Sequence, residues 1–439
     1  MKDTPINFEI VSEKIKQSGL KSIGDASIRE IKKLVDQIEK ASGEKFVRME
    51  MGIPGLPPSK IGTEAQKAAL DKGIAAIYPD IFGIAPLKEQ ISKFVKNFMN
   101  IDVNAEGCLP TVGSMQGSFA AFMTLNRMYA DREGTLFIDP GFPVHKQQLK
   151  VMGQGWESFD VYNYRGDKLR DKLESYLSTG RFCSLLYSNP NNPSWICFTE
   201  KELQIIGELA NKYNIIVIED LAYFGMDFRK DFSIPGQPPY QPSVANYTDN
   251  FVLLISSSKV FSYAGERVGM MVISDKLFNT TAPDLLRFYK SDNVGYAMIF
   301  GTLYSLSSGT NHSSQYALAA MLEAANAGKF NFVEVVKEYG EKAKIMKQMF
   351  LDNGFNIVYD KDEDKPIADG FYFTFAYPGF SGGELLEEFL YYGISAITLD
   401  ITGSERHEGI RACVSLVQRS QFPDLEYRLK KFHEDHPVK

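Results

Sequence analysis

The sequence predicts an α/β protein: a large domain on a doubly wound, mainly parallel sheet, followed by a smaller α+β domain. Three observations carry this expectation. From about Thr63 to Val260, helical stretches alternate with short apolar runs, the pattern of successive βαβ units. Unusual polar residues stand at the end of one run after another. Beyond about Ser313, long helices and a few isolated strand-like runs replace the alternation. A chain of 439 residues is also too long for one ordinary domain.

The first element is a helix over Ala26–Ser42, with Ile28, Ile31, Leu34, Val35 and Ile38 at helical spacing. Phe46–Gly55 reads as an extended piece ending in a Gly/Pro loop. The strands of the large domain are expected at Thr135–Ile138, Ser184–Tyr187, Ile215–Ile218 and Phe251–Ile255. Helices Gly117–Tyr129 and Glu200–Tyr213 fall between them. The Pro- and Gly-rich stretch Ser233–Val244 reads as a surface loop. Helices Gln315–Ala327 and Phe332–Asn353 then precede a strand at Phe371–Ala376, a helix at Glu384–Tyr392 and a run at Ile410–Leu416. These patterns divide the chain into an N-terminal arm with part of the small domain (1–55), a large domain (56–312) and a small C-terminal domain (313–439).

Composition narrows the class. Hydrophobic residues at 44% and charged residues at 23% are ordinary for a globular protein. With 48 basic against 55 acidic residues, the net charge is −7, and no long basic block offers a track for nucleic acid. Lys342–Lys347 reads as the solvated face of a helix. Cys108, Cys183, Cys197 and Cys413 are scattered, with no CxxC pair, so neither a disulfide framework nor a metal site is expected. Met1–Lys14 is polar, without the apolar core of a signal peptide, and no apolar run is long enough to span a membrane. The expected compartment is the cytosol.

Ligands of open α/β sheets bind at the carboxyl ends of the strands. There the sequence places Asn189–Pro193 (NPNNP), Asp220 and Tyr223, and Ser256–Lys259 (SSSK); Thr111–Gly117 opens a helix nearby. A lysine amine forms a Schiff base with an aldehyde when its pKa is lowered. Arg267, Ser256 and the amides of Ser114–Gln116 suit a phosphate. Asp220, a buried carboxylate, needs a cationic partner. Pyridoxal 5′-phosphate (PLP) supplies all three counterparts: an aldehyde, a phosphate and a protonatable ring nitrogen.

At these residues the chain resembles the class I/II aminotransferases, PLP enzymes of fold type I. The SxSKxxxxxGxRxG pattern of that family is met by Ser256–Lys259, Gly265, Arg267 and Gly269. DxAY is met by Asp220–Tyr223, NPxNP by Asn189–Pro193, IREI by Ile28–Ile31, and YxxxxGxxxLxE by Tyr78, Gly83, Leu87 and Glu89. The ordered set spans nearly the whole chain. The resemblance implies that Lys259 forms the Schiff base and moves the substrate's Cα proton, while Asp220 pairs with the ring nitrogen. It also implies that Asn192 and Tyr223 bind the ring oxygen, and that Ser114, Met115, Ser256 and Arg267 hold the phosphate. Phe142 would stack on the ring, and Gly52, Asn192 and Arg411 would bind the substrate carboxylate. Tyr78 would reach the phosphate held by the partner subunit of a homodimer. The implied activity is transfer of an α-amino group from an amino acid to a 2-oxo acid.

Taken singly, these residues have plainer readings. Asp220 would cap a helix, Tyr223 and Phe142 would be core aromatics, Arg267 would pair with Glu266 or a distant carboxylate, and His145 and His312 would be structural histidines. Arg411, inside the apolar run GIRACVSL, is costly to bury unless an anion meets it, and an internal carboxylate would also serve. Two positions depart from the family: Trp195 stands where a glycine is common, and Thr398–Gly403 (TLDITG) lacks a proline–glycine step. Both bear on substrate range. Arg287 and Lys290 are candidate cations for a second substrate carboxylate. The same scaffold also serves β-lyases, and a non-catalytic PLP-binding regulator is the remaining alternative.

Overall fold

The computed structural model describes residues 4–438; Met1–Asp3 of the polar start and Lys439 lie outside the described residues. The large domain is built on seven strands: β1 (Cys108–Thr111), β2 (Thr135–Asp139), β3 (Trp156–Asp160), β4 (Ser184–Ser188), β5 (Ile216–Leu221), β6 (Phe251–Ser256) and β7 (Gly269–Ile273). Their spatial order is β1-β7-β6-β5-β4-β2-β3, and only β7 runs against its neighbours. Every residue of β2, β4, β5 and β6 is buried. That explains why these strands read as continuous apolar runs: helices cover both faces of the sheet, so no alternation is needed. Because β2, β4, β5 and β6 are parallel, their carboxyl ends share one edge. The polar residues found in the sequence gather there.

The helix expected at Glu200–Tyr213 has those bounds, set by a capping box between Thr199 and Glu202. Ile28–Ser42 is opened in the same way by Ser27 and Glu30, and buries Ile31, Leu34, Val35 and Ile38. The helix expected from Gly117 begins earlier, spanning Gly113–Leu125, because Gly113 turns the chain into it at φ 68°. Phe332–Asn353 is interrupted at Lys337, giving Phe332–Val336 and Glu338–Asp352. The Ser233–Val244 loop is exposed at its tip, but Gln241, Ser243 and Val244 are buried, and Ser243 bonds the buried Glu219.

The small domain carries an antiparallel four-stranded sheet in the order Ile397–Thr398, Ile410–Cys413, Tyr372–Ala376, Asn356–Ile357. Val47 pairs with Ile394, and Met49 exchanges backbone bonds with Ser395 and Cys413, so the N-terminal segment joins this domain. His312–Asn326 instead packs on Lys60–Asp71 and Ala85–Met99. We therefore propose a domain boundary after this helix rather than before it.

Two lysines depart from expectation: the Lys347 side chain is only 14% exposed and pairs with Asp369, and Lys342 departs further. Lys342 is buried, not solvated: its Nζ donates to the carbonyls of Ser415 (2.9 Å) and Val417 (2.7 Å). The segment that follows the last strand covers that face of the helix and leaves two carbonyls there for a donor to satisfy. Among the described residues, no helix is long and apolar enough to cross a membrane.

Candidate active site

A cavity of about 730 Å³ opens where the two domains meet the sheet edge. It is lined by Gly52, Ser114, Met115, Phe142, Asn192, Asp220, Tyr223, Ser256, Lys259, Arg267 and Arg411, all singled out in the sequence. Tyr78 is the exception. It is 87% exposed and borders a separate hollow with Ile77, Asn311 and His312.

Each strand end delivers its group for a local reason. In β5, Asp220 follows a fully buried run, and its Oδ1 accepts from the Ala222 amide at 3.1 Å. Among the described residues, no lysine or arginine bonds it directly. His145 Nε2 stands 3.9 Å from Asp220 Oδ2, and burial pushes that imidazole down to about 4, so it is neutral near pH 7. Burial also pushes Asp220 up to about 6, against the opposing pull of Lys259. A buried carboxylate left in this state is complementary to a cation entering the cavity. Lys259 opens partly onto the cavity, and desolvation holds its amine below the ordinary lysine range.

The NPNNP loop is braced from within. Asn191 Nδ2 donates to the Pro140 carbonyl at 2.8 Å and its Oδ1 accepts from Ser194, which frees Asn192 to face the cavity. Asn192 Oδ1 accepts from Arg411 Nη1 at 3.1 Å, and Arg411 Nη2 donates to the Glu50 carbonyl at 2.6 Å. The internal carboxylate that would have explained Arg411 is not there. Among the described residues none lies within ion-pair distance, and Glu50 spends its own carboxylate on Arg48 and Ser395. Arg411 is 1% exposed, its Nε has no hydrogen-bond partner among the described residues, and burying such a cation without a counter-ion costs several kcal/mol. The arrangement fits an incoming anion.

At the other end, Ser114 and Met115 sit in the first turn of Gly113–Leu125, where backbone amides point outward. A Cβ on Gly113 would lie 2.4 Å from Arg267 Nη2, so only glycine lets the guanidinium approach this turn. Arg267 itself takes φ 51° and bonds the Ala264 carbonyl, not Glu266. Ser256 Oγ accepts from the Ser258 amide at 3.1 Å, which tightens the turn before Lys259. Pro143, at the start of Pro143–Val151, sets Phe142 on the cavity wall.

The residues present thus fit PLP: an amine, a carboxylate lacking a cation, and a helix start beside an arginine. Several lining residues were not read from the sequence. Tyr372 is buried, and its hydroxyl lies 2.6 Å from that of Tyr223. Its signal was only a strand-like run, with nothing to show which residue faced the cavity. Asp25, Ser27, Ile28, Arg29 and Ile401 also line it, whereas Arg287 and Lys290 do not. Trp195 is fully buried behind the site at φ 65°, edge-on to Tyr223 and Tyr372, and does not narrow the cavity. A Cβ on Gly370 would lie 1.9 Å from its indole.

Comparison with known proteins bears on the fold and the family. A probable aspartate aminotransferase of Methanocaldococcus jannaschii is 25% identical over 264 residues, 59% of this chain and 64% of that protein. An LL-diaminopimelate aminotransferase of Natranaerobius thermophilus is 24% identical over 74% of this chain and 77% of its own. The chain thus spans under two thirds of the first of these relatives. The crystal structure of an aspartate aminotransferase from Thermotoga maritima superposes with a TM-score of 0.74 at 20% identity, over 96% of this chain and 99% of that one. It shows that the fold is shared almost throughout. The sequence model for aminotransferase class I and II matches residues 47–362, and the chain belongs to that family.

Proposed function

We propose that the protein is a PLP-dependent aminotransferase, moving an α-amino group from an amino acid to a 2-oxo acid. The observation that carries this is the convergence of Lys259, Asp220 and Arg411 on one cavity, each with its chemical need unmet by the protein itself. Bound PLP supplies an aldehyde for an amine and a ring that withdraws electron density from the substrate's Cα. Lys259 Nζ is the amine that holds the cofactor and the base for the Cα proton, a role its depressed pKa suits. Asp220 holds a proton on the ring nitrogen. Tyr223 and Asn192 bind the ring oxygen, and Ser114, Met115, Ser256 and Arg267 hold the phosphate. Phe142 covers one ring face. Gly52, Asn192 and Arg411 orient the substrate carboxylate, and anchoring that group disfavours its loss as carbon dioxide.

Two copies are proposed to associate, with Tyr78 serving the partner's site. Its 87% exposure fits, as do the neighbouring Ile77 (55%) and the exposed aromatics Phe288, Phe300 and Tyr304. The proposed compartment is the cytosol. The names of the relatives differ in substrate but share an α-amino acid donor, which supports that coarser class. The test is a single half-reaction. Protein loaded with PLP and mixed with a panel of amino acids should yield pyridoxamine phosphate and one equivalent of 2-oxo acid. No pyridoxamine form with any donor, together with pyruvate and ammonia from cysteine conjugates, would replace this reading with a β-lyase.

A further inference from the structure

Tyr372 is the cavity residue with the most telling surroundings and no role so far. It sits in the small-domain strand Tyr372–Ala376, buried, with its ring 4.3 Å from the Arg411 guanidinium carbon. Its hydroxyl lies 2.6 Å from the Tyr223 hydroxyl. A Cβ on Gly52 would fall 2.0 Å from that same oxygen, so the absence of a side chain at Gly52 makes the room it occupies. The hydroxyl therefore stands where the groups proposed for the substrate carboxylate (Gly52, Arg411) meet the one proposed for the ring oxygen (Tyr223).

Proton counting gives the consequence. The two hydroxyls share one hydrogen bond, and neither has another hydrogen-bond partner among the described residues. Of their two protons, one is used in the pair and one is left for the cavity. An acceptor beside Tyr223 draws the Tyr223 proton, and Tyr372 then donates to Tyr223. Hydrogen bonds in such a chain polarise one another, so a hydroxyl that accepts a bond becomes a better donor. A phenylalanine would fill the ring's place over Arg411 equally well. Only the hydroxyl makes this chain.

Resting on the PLP reading above, we infer that Tyr372 is a positioning residue: its hydroxyl donates to Tyr223 and strengthens the hydrogen bond that Tyr223 gives the ring oxygen of PLP. The ring of Tyr372 meanwhile braces Arg411, coupling the two subsites through one side chain. The charged and titratable groups facing this pair are Arg411 over the ring, the buried thiol of Cys413 opposite Tyr372 in the sheet, and Lys259, 5.5 Å from the Tyr223 ring, with Asp220 beyond. Substituting Tyr372 by Phe alters none of them.

The test is a pH titration of the visible absorption of lysine-bound PLP, read without turnover. A bond from Tyr223 draws electron density from the ring oxygen and weakens its hold on the proton at the lysine nitrogen. Losing the relay should therefore raise the titration midpoint. For Tyr372→Phe the expected rise is about 0.3–1 pH unit, roughly two- to tenfold in the proton equilibrium, and for Tyr223→Phe it is larger. The double variant should titrate like Tyr223→Phe alone, because Tyr372 acts only through Tyr223. Gly52→Ala, which displaces the hydroxyl while keeping Tyr372, should shift the midpoint in the same direction. An unchanged midpoint in both Tyr372→Phe and Gly52→Ala, or shifts fully additive with Tyr223→Phe, overturns the inference and leaves the aminotransferase reading intact. Absence of the visible band in the unsubstituted protein overturns both.

Discussion

Replacing Arg411 by methionine separates an anion-binding arginine from a structural one. Its guanidinium is held by the Asn192 side-chain oxygen at 3.1 Å and the Glu50 carbonyl at 2.6 Å, with no carboxylate in reach among the described residues. If the substrate carboxylate completes the site, truncation removes a desolvated charge pair worth about 2–5 kcal/mol, or roughly 30- to 5,000-fold in kcat/KM. Stability should change little. Removing a buried cation that no carboxylate compensates relieves a desolvation penalty of several kcal/mol. The two oxygens left unpaired cost about 1–3 kcal/mol each, which offsets that gain. The melting temperature of the PLP-free protein should therefore move by no more than a few degrees. Steady-state kinetics with an active donor and thermal unfolding of the same preparations check both halves. A large fall in melting temperature with kcat/KM within a few-fold of the original would show that Arg411 is structural and refute the carboxylate assignment.

Two further outcomes follow from the same geometry. Burial raises Asp220 to about 6, so in the empty protein it is neutral below that pH and an anion above it; because the ring nitrogen enters as a cation, PLP affinity should weaken by up to about tenfold per pH unit below 6. Asp220→Asn should flatten this dependence in a fluorescence binding titration, and should lower kcat by a larger factor than it weakens PLP binding near neutral pH. Mixing Tyr78→Phe with Lys259→Ala subunits should restore activity in the heterodimer, since one of its sites then has both residues intact; activity no higher than in the separate variants would place Tyr78 in its own subunit's site.

How far the sequence was legible depended on the range of the interactions involved. Buried parallel strands announce themselves as apolar runs, so β2, β4, β5 and β6 were placed to within a residue or three, and with them the strand-end residues Asn192, Asp220 and Lys259. Glu200–Tyr213 was legible because Thr199 and Glu202 are a local capping signal. Gly113–Leu125 begins earlier than the sequence predicts, because TVGSMQG has the composition of a turn, and nothing local shows that the chain enters the helix at Gly113. Tyr372 and Lys342 were hidden for a longer-range reason. Tyr372 gains its role from the approach of Gly52, Tyr223 and Arg411, three segments distant in sequence. Lys342 is buried by carbonyls at Ser415 and Val417, and helical spacing alone reads it as solvated. Arg29 lay inside a recognised helix motif, yet its place on the cavity wall depends on how that helix docks.

The central claim is that Lys259 carries the cofactor, and borohydride reduction of the PLP-loaded protein followed by peptide mapping tests it most directly. The account predicts one stable phosphopyridoxyl label per chain, on the peptide containing Lys259, and its loss in Lys259→Ala. A label on another lysine, or no label after incubation with PLP, would contradict it.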